Sequence, residues 1–226
     1  MKSRRTALLV GATGLIGGRV LELLLRHPGY RRLIAPVRRA LEPPPGVTGD
    51  KLDAPVVDFD DLDGDLLRVD DVFCCLGTTL AKAGSREAFR RVDHDLVVAI
   101  ARGARDGGAT RLFLVSAIGA SPGAMSFYSR VKGEMEADVE ALGYGTQHLF
   151  RPSLLLGKRN EHRPAERAGI GLARTFGWML AGPLRPYHAV EGDIVAAAMV
   201  GAADSSAVGR HVHTYASIRR LADTVG

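Results

Sequence analysis

The chain has 226 residues, 46% hydrophobic and 24% charged, the balance of an ordinary globular protein and enough chain for one α/β domain with a small appendage. Its formal charge is +5, but the basic residues are scattered in ones and twos with no basic tail or aromatic-rich basic strand, so no nucleic-acid partner is expected. No apolar stretch reaches the ~18 residues of a membrane span. The basic start Met1–Arg5 runs into too short an apolar segment for a signal peptide, so a cytoplasmic protein is expected.

The first element is an apolar run, Ala7 to Val10, that reads as a strand buried on both faces and leads straight into glycines at 11, 14 and 17. A helix is expected over Leu15 to Arg26. Gly11 permits a sharp exit from the strand, Gly14 leaves room for a pyrophosphate beside the backbone, and Gly17 lets the helix pack closely. The unpaired N–H groups of the first helical turn then face the phosphates. This assigns Gly11, Thr13, Gly14, Leu15, Ile16 and Gly17 to a dinucleotide.

Further strands are expected at Leu33 to Val37, Pro55 to Asp58, Val72 to Leu76, Leu112 to Ser116 and His148 to Arg151, with helices over Arg86 to Ala104 and Phe127 to Leu142. Pro43-Pro44-Pro45-Gly46 is expected to be a surface loop. This alternation predicts a doubly wound parallel sheet, a Rossmann fold. Cys74 and Cys75 are strand neighbours that point to opposite faces, so two packing thiols are expected. Past Gly157 two more helices, Ala165 to Leu180 and Asp193 to Ala203, and a late strand, His211 to Thr214, are expected. The chain therefore reads as one domain, 1–226, whose last part, about 157–226, is a small C-terminal helical extension on the substrate side.

At the end of the second strand, about 20 residues past the glycine turn, an acid would favour NAD and an arginine NADP. The chain has Arg38 and Arg39 there. A guanidinium suits the 2′-phosphate, so NADP(H) is favoured over NAD(H). Asp58 and Phe59 end the third strand, where the adenine would lie. Leu76, Gly77, Thr78 and Thr79 end the fourth, where the backbone and a hydroxyl would meet the ribose or phosphates.

Tyr128 and Lys132 are four residues apart on a predicted helix and share a face. Lys132 is expected to lower the pKa of the phenol and bond a ribose; Tyr128 would donate a proton to a carbonyl oxygen while hydride reaches the carbon. Ser116, at the end of the fifth strand, would bind the same oxygen.

The blocks GATGLIG (11–17), VVDF (56–59), FCCLGTT (73–79), KAG (82–84), VDHD (92–95), SAIGA (116–120), FYSRVKGE (127–134) and FRPSLLLGKR (150–159) resemble the atypical short-chain dehydrogenase/reductases of the branch that includes human Tat-interacting protein. The resemblance spans most of residues 6 to 166. It implies an NADPH-binding Rossmann fold, catalytic roles for Ser116, Tyr128 and Lys132, a phosphate role for Arg38 or Arg39, and passage of Arg151, Pro152 and Ser153 beside the nicotinamide. Two departures stand out: Ala117 replaces a second serine, and Asp93 stands where many short-chain dehydrogenases carry an asparagine of the proton relay.

Seven histidines show no spacing typical of metal ligands, so no metal is expected. The charged run Lys158 to Arg163 is a candidate for substrate selectivity, and Trp178 is a core or cleft-wall residue. The reading is an NADP(H)-dependent oxidoreductase of a small carbonyl or alcohol. A non-catalytic NADPH-binding redox sensor that engages a protein partner, and a nucleotide-sugar epimerase, remain as alternatives.

Overall fold

The structure, a computed structural model, describes residues 4–153, 155–156 and 190–225. Strands β1 (Arg5–Val10), β2 (Tyr30–Ile34), β3 (Leu52–Asp53), β4 (Asp71–Cys74), β5 (Arg111–Val115) and β6 (Thr146–Phe150) are joined by helices α1 (Leu15–Arg26), α2 (Leu80–Ala83), α3 (Arg86–Arg90), α4 (Leu96–Asp106) and α5 (Phe127–Glu140). After them come β7 (Leu155–Leu156), β8 (Val190–Glu191), α6 (Gly192–Asp204), β9 (Gly209–His213) and α7 (Tyr215–Ala222). The main sheet has seven strands in the order β3-β2-β1-β4-β5-β6-β9, every neighbouring pair parallel; β7 and β8 form a separate parallel pair. Strand order reverses between β1 and β4, and the crevice at their carboxyl ends is where such sheets take ligands.

Alternation along the strands builds two cores. Ala7 and Leu9 of β1, Phe73 of β4 and Phe113 of β5 point to the face covered by α1 and α6. Leu8, Val10, Val72, Cys74, Leu112 and Leu114 point to the face covered by α4 and α5. Both sets are buried, which is why these strands read as unbroken apolar runs. Cys74 joins the second core and Cys75 packs against the first, so the neighbouring thiols do face apart, and both are free. In α1 the stripe Ile16, Val20, Leu21, Leu24 and Leu25 is buried against the sheet.

Three expectations need correction. The third strand is two residues, Leu52–Asp53; the segment expected to carry it, from Pro55, makes only a bridge between Val37 and Val56. The helix expected over Arg86 to Ala104 is interrupted by a π turn at Arg91–Asp95, which turns both Asp93 and His94 inward although they are consecutive. The expected helix at Asp193 and strand at His211 are present as α6 and β9. They do more than line a cleft, because β9 pairs with β6 and α6 packs on α1. Helix Ala165 to Leu180, Trp178 and the run Lys158 to Arg163 lie outside the described residues.

The β6–β9 pairing stacks three imidazoles. His148 lies between Phe113 and the rings of His211 and His213, and its Nδ1 is 2.8 Å from His213 Nε2. Burial, helped by the neighbouring imidazoles, pushes both His148 and His213 down to about 4, and Arg220 adds to the effect on His213. Each ring binds a proton more weakly folded than unfolded. Stability should therefore fall as the pH drops below about 6.5, the unfolded value, and keep falling to about 4. Urea midpoints measured from pH 7 to 4.5 should show this decline, and a His148→Phe/His213→Phe double variant should flatten it. A double variant as acid-sensitive as its parent would assign the loss to other groups.

Candidate functional site

The glycine turn at the carboxyl end of β1 has the geometry of a phosphate cradle. Gly11 has φ +84°, a conformation that favours glycine, and a Cβ there would lie 2.6 Å from the Cys75 carbonyl oxygen. A Cβ on Gly17 would lie 2.0 Å from the Gly11 oxygen, so the close packing of α1 requires this glycine. Gly14 differs: its Cβ direction meets only the Gly11 oxygen, at 3.2 Å, and otherwise opens outward. No side chain caps α1 at Gly14. The N–H groups of Leu15, Ile16 and Gly17 have no acceptor within the helix and are left for a ligand. Thr13 and Gly14 are exposed beside them, Leu15 is half-buried, and Ile16 is buried in the first core.

The other residues that the sequence assigns to a cofactor follow β2, the Val37–Val56 bridge and β4. Arg38 and Arg39 follow the Val37–Val56 bridge and are both exposed. Asp58 is exposed, its Oδ1 accepting the Asp60 N–H at 3.0 Å, while Phe59 packs against the second core. Leu76 is half-buried and Gly77 exposed; Thr78 donates its N–H to Asp93 Oδ2 at 2.8 Å. The Thr79 hydroxyl caps α2 by accepting from the Lys82 N–H, so Thr78 has the freer hydroxyl for a ribose.

Helix α5 begins at Phe127 because the Ser126 hydroxyl accepts the Ser129 N–H, and this start sets the phase that places Tyr128 and Lys132 on one face. Phe89, fully buried on α3, packs against the Tyr128 ring with centroids 5.5 Å apart. Lys132 is 3% exposed; its Nζ lies 2.8 Å from Asp93 Oδ1, an ion pair by distance whose angles fall outside those of a hydrogen bond. A Cβ on Gly77 would sit 4.0 Å from that Nζ, so α5 and the turn after β4 meet here. Ser116 follows β5, held by its N–H to the Phe150 carbonyl at 2.7 Å. Its hydroxyl is buried with no partner among the described residues.

Lys132 does not make the Tyr128 phenol more acidic than usual, as the sequence reading expects. Although Tyr128 is 36% exposed, desolvation of its hydroxyl raises the phenol above its ordinary value and outweighs the lowering by Lys132, while Asp93 adds to the rise. Arg151 is also differently employed. Its guanidinium forks onto Glu136, which is buried on α5 and also faces Arg210. Only the backbone of Arg151 and the ring of Pro152 are left near the edge; the Arg151 N–H goes to His213 O, and the Pro152 carbonyl accepts from the Ile118 N–H. Two buried acids, Asp93 and Glu136, thus organise the site. Glu136 carries a sequence signal, an acid among residues that α5 buries, whereas the π turn that buries Asp93 leaves none.

No protein-family model matches the chain. It is 36% identical over 201 residues to the protein fmp52, mitochondrial, of Aspergillus clavatus, across 86% of this chain and 85% of that one. The chain belongs to the Fmp52 family. Its Aspergillus niger relative is 34% identical over 199 residues, covering 86% and 85%, and FMP52 of Eremothecium gossypii is 37% identical over 158 residues, 69% of each chain. All three are named as mitochondrial, which overturns the cytoplasmic expectation. Among solved structures, MoeE5 in complex with UDP-glucose and NAD superposes with a TM-score of 0.67 at 17% identity, over 96% of this chain and 80% of that one. A putative NAD-dependent epimerase/dehydratase from Bacillus halodurans gives 0.66 at 17%, over 97% and 99%. At that identity the likeness shows the fold alone, a parallel Rossmann-type sheet covered by helices.

Proposed function

We propose that this Fmp52-family chain is an NADP(H)-dependent oxidoreductase that interconverts a small carbonyl compound and its alcohol. The observation that carries the reading is the buried Ser116 hydroxyl, without a partner among the described residues, on the same sheet edge as the glycine turn and the Tyr128–Lys132 helix face. A buried hydroxyl without a partner is costly unless a ligand supplies one.

The residues fit a dinucleotide. Leu15, Ile16 and Gly17 would hold its pyrophosphate through their N–H groups, Arg38 or Arg39 its 2′-phosphate, Asp58 and Phe59 its adenine, Gly77 and Thr78 its ribose side, and Lys132 its nicotinamide ribose. When bound, the dinucleotide supplies or takes the hydride. Ser116 donates to the substrate oxygen and orients the carbonyl. Tyr128 gives its Oη proton to that oxygen as charge builds on it, and water returns a proton to the phenolate afterwards.

Consumption of NADPH with a panel of aldehydes, ketones and quinones tests the reaction. The cofactor preference is tested separately. One charge-assisted contact contributes about 1.5 to 3 kcal/mol, so changing the contacting Arg38 or Arg39 to Ala should weaken NADPH roughly ten- to a hundredfold and leave NADH almost unchanged. Equal dissociation constants for the two cofactors in the unmutated protein would rule out the 2′-phosphate assignment.

A further inference from the structure

The proton-donor pair is tied to a third residue, an acid at the position where many short-chain dehydrogenases carry an asparagine. Asp93 is 1% exposed and comes from the π turn between α3 and α4. One oxygen lies 2.8 Å from Lys132 Nζ on α5, and the other accepts the Thr78 N–H at 2.8 Å in the turn after β4. A carboxylate in that position spans the two halves of the site, since Thr78 belongs to the cofactor side and Lys132 to the catalytic helix. In a regular α-helix Asp93 and His94 would point about 100° apart. Here both are buried, with His94 held between Asp95 and Asp138 at 2.7 and 3.0 Å.

Resting on the oxidoreductase reading, we propose that Asp93 is a positioning residue: it fixes Lys132 against the Thr78 turn and offsets the ammonium charge, so that Tyr128 works from its neutral phenol as a proton donor. An unpaired ammonium four residues from Tyr128 would pull the phenol toward phenolate, the form that removes a proton from an alcohol. Paired with a buried carboxylate, it exerts little net field, and burial then governs the phenol. Desolvation and Asp93 hold Tyr128 above its ordinary value despite Lys132, in keeping with this balance. Among the described residues, the groups facing Tyr128 are Lys132 on its own helix, Asp93 on the π turn and the uncharged Phe89 on α3. The site is thereby set to reduce a carbonyl near neutral pH, and alcohol oxidation is deferred to alkaline pH.

The test needs neither substrate nor cofactor. Tyrosines labelled with ¹³C at the ring Cζ are titrated by NMR, and Tyr128 is assigned from the signal lost in Tyr128→Phe. In Asp93→Asn, the isosteric amide leaves the ammonium uncompensated, and the Tyr128 midpoint should fall by about one pH unit or more. In Asp93→Asn/Lys132→Met both charges are gone, and the midpoint should return to within about half a unit of the unmutated protein. The double variant keeps the test decisive even where Asp93→Asn does not fold, because it buries no unpaired charge. An unmoved midpoint in Asp93→Asn, or a rise of more than one unit in the double variant, overturns the proposal. NADPH calorimetry on the same samples separates the two questions: a titration that behaves as expected in a protein that binds no dinucleotide keeps the charge balance and removes the oxidoreductase reading.

Discussion

Gly14→Val is expected to fold and to lose both NADPH and NADH, with affinity reduced by more than about a thousandfold, or 4 kcal/mol. Gly14 has φ −81° and ψ 171°, extended backbone open to any residue, and its Cβ would meet only the Gly11 oxygen at 3.2 Å. The polypeptide can absorb that contact by a few tenths of an ångström. A pyrophosphate cannot, because the branched side chain would stand before the N–H groups of Leu15, Ile16 and Gly17. Gly17→Val is the contrasting variant. Its Cβ would lie 2.0 Å from the Gly11 oxygen, so the helix cannot seat on β1 and the protein should not fold. Circular dichroism separates the two variants, and calorimetry on folded Gly14→Val checks the binding. Normal NADPH affinity in that variant would place the phosphate site elsewhere.

Tyr128→Phe should leave NADPH binding intact and lower turnover by about 10² to 10⁴. The substitution keeps the ring that packs on Phe89 and removes only the hydroxyl, so a loss of rate without a loss of fold identifies the proton donor. Lys132→Ala is a less clean probe, because it leaves the carboxylate of Asp93 buried without its partner, a change that costs about 3 to 5 kcal/mol of stability. Unchanged turnover in folded Tyr128→Phe with a verified substrate would remove the mechanism. If NADPH binds, no substrate is turned over and the bound form changes the affinity of a protein partner, the redox-sensor reading takes its place.

Much of the fold was legible because buried parallel strands leave a direct trace: β1, β4 and β5 are apolar runs ending in Gly11, Gly77 and Ser116, and those ends define the edge where the site lies. What could not be read was local and electrostatic. The two-residue β3 is too short for any alternation to show. A π turn has the same composition as an α-helix, so the inward rotation of Asp93 was invisible, and with it the offset of Lys132. The Tyr128–Lys132 spacing gave the right face but the wrong balance, since burial is a property of the packed site and not of the spacing. The engagement of the Arg151 side chain was hidden for the same reason. Its partner Glu136 lies fifteen residues away on another element, and only the fold brings them together.

The position of β9 at the sheet edge sets the order in which this chain can assemble. Its first pairing, Thr146 with Gly209, closes a loop of more than sixty residues, and α6 contributes Val195, Ala196, Ala198 and Met199 to the core on the α1 face. While a nascent chain ends near residue 153, that face of the sheet lacks its second helix, and β6 lacks its outer neighbour. Such a long closure makes the last steps slow and leaves apolar surface open in the meantime. Refolding should therefore show an intermediate in which α1, β1 and β4 amides are protected before those of β6 and β9, and a ribosome or chaperone would meet that bare face first.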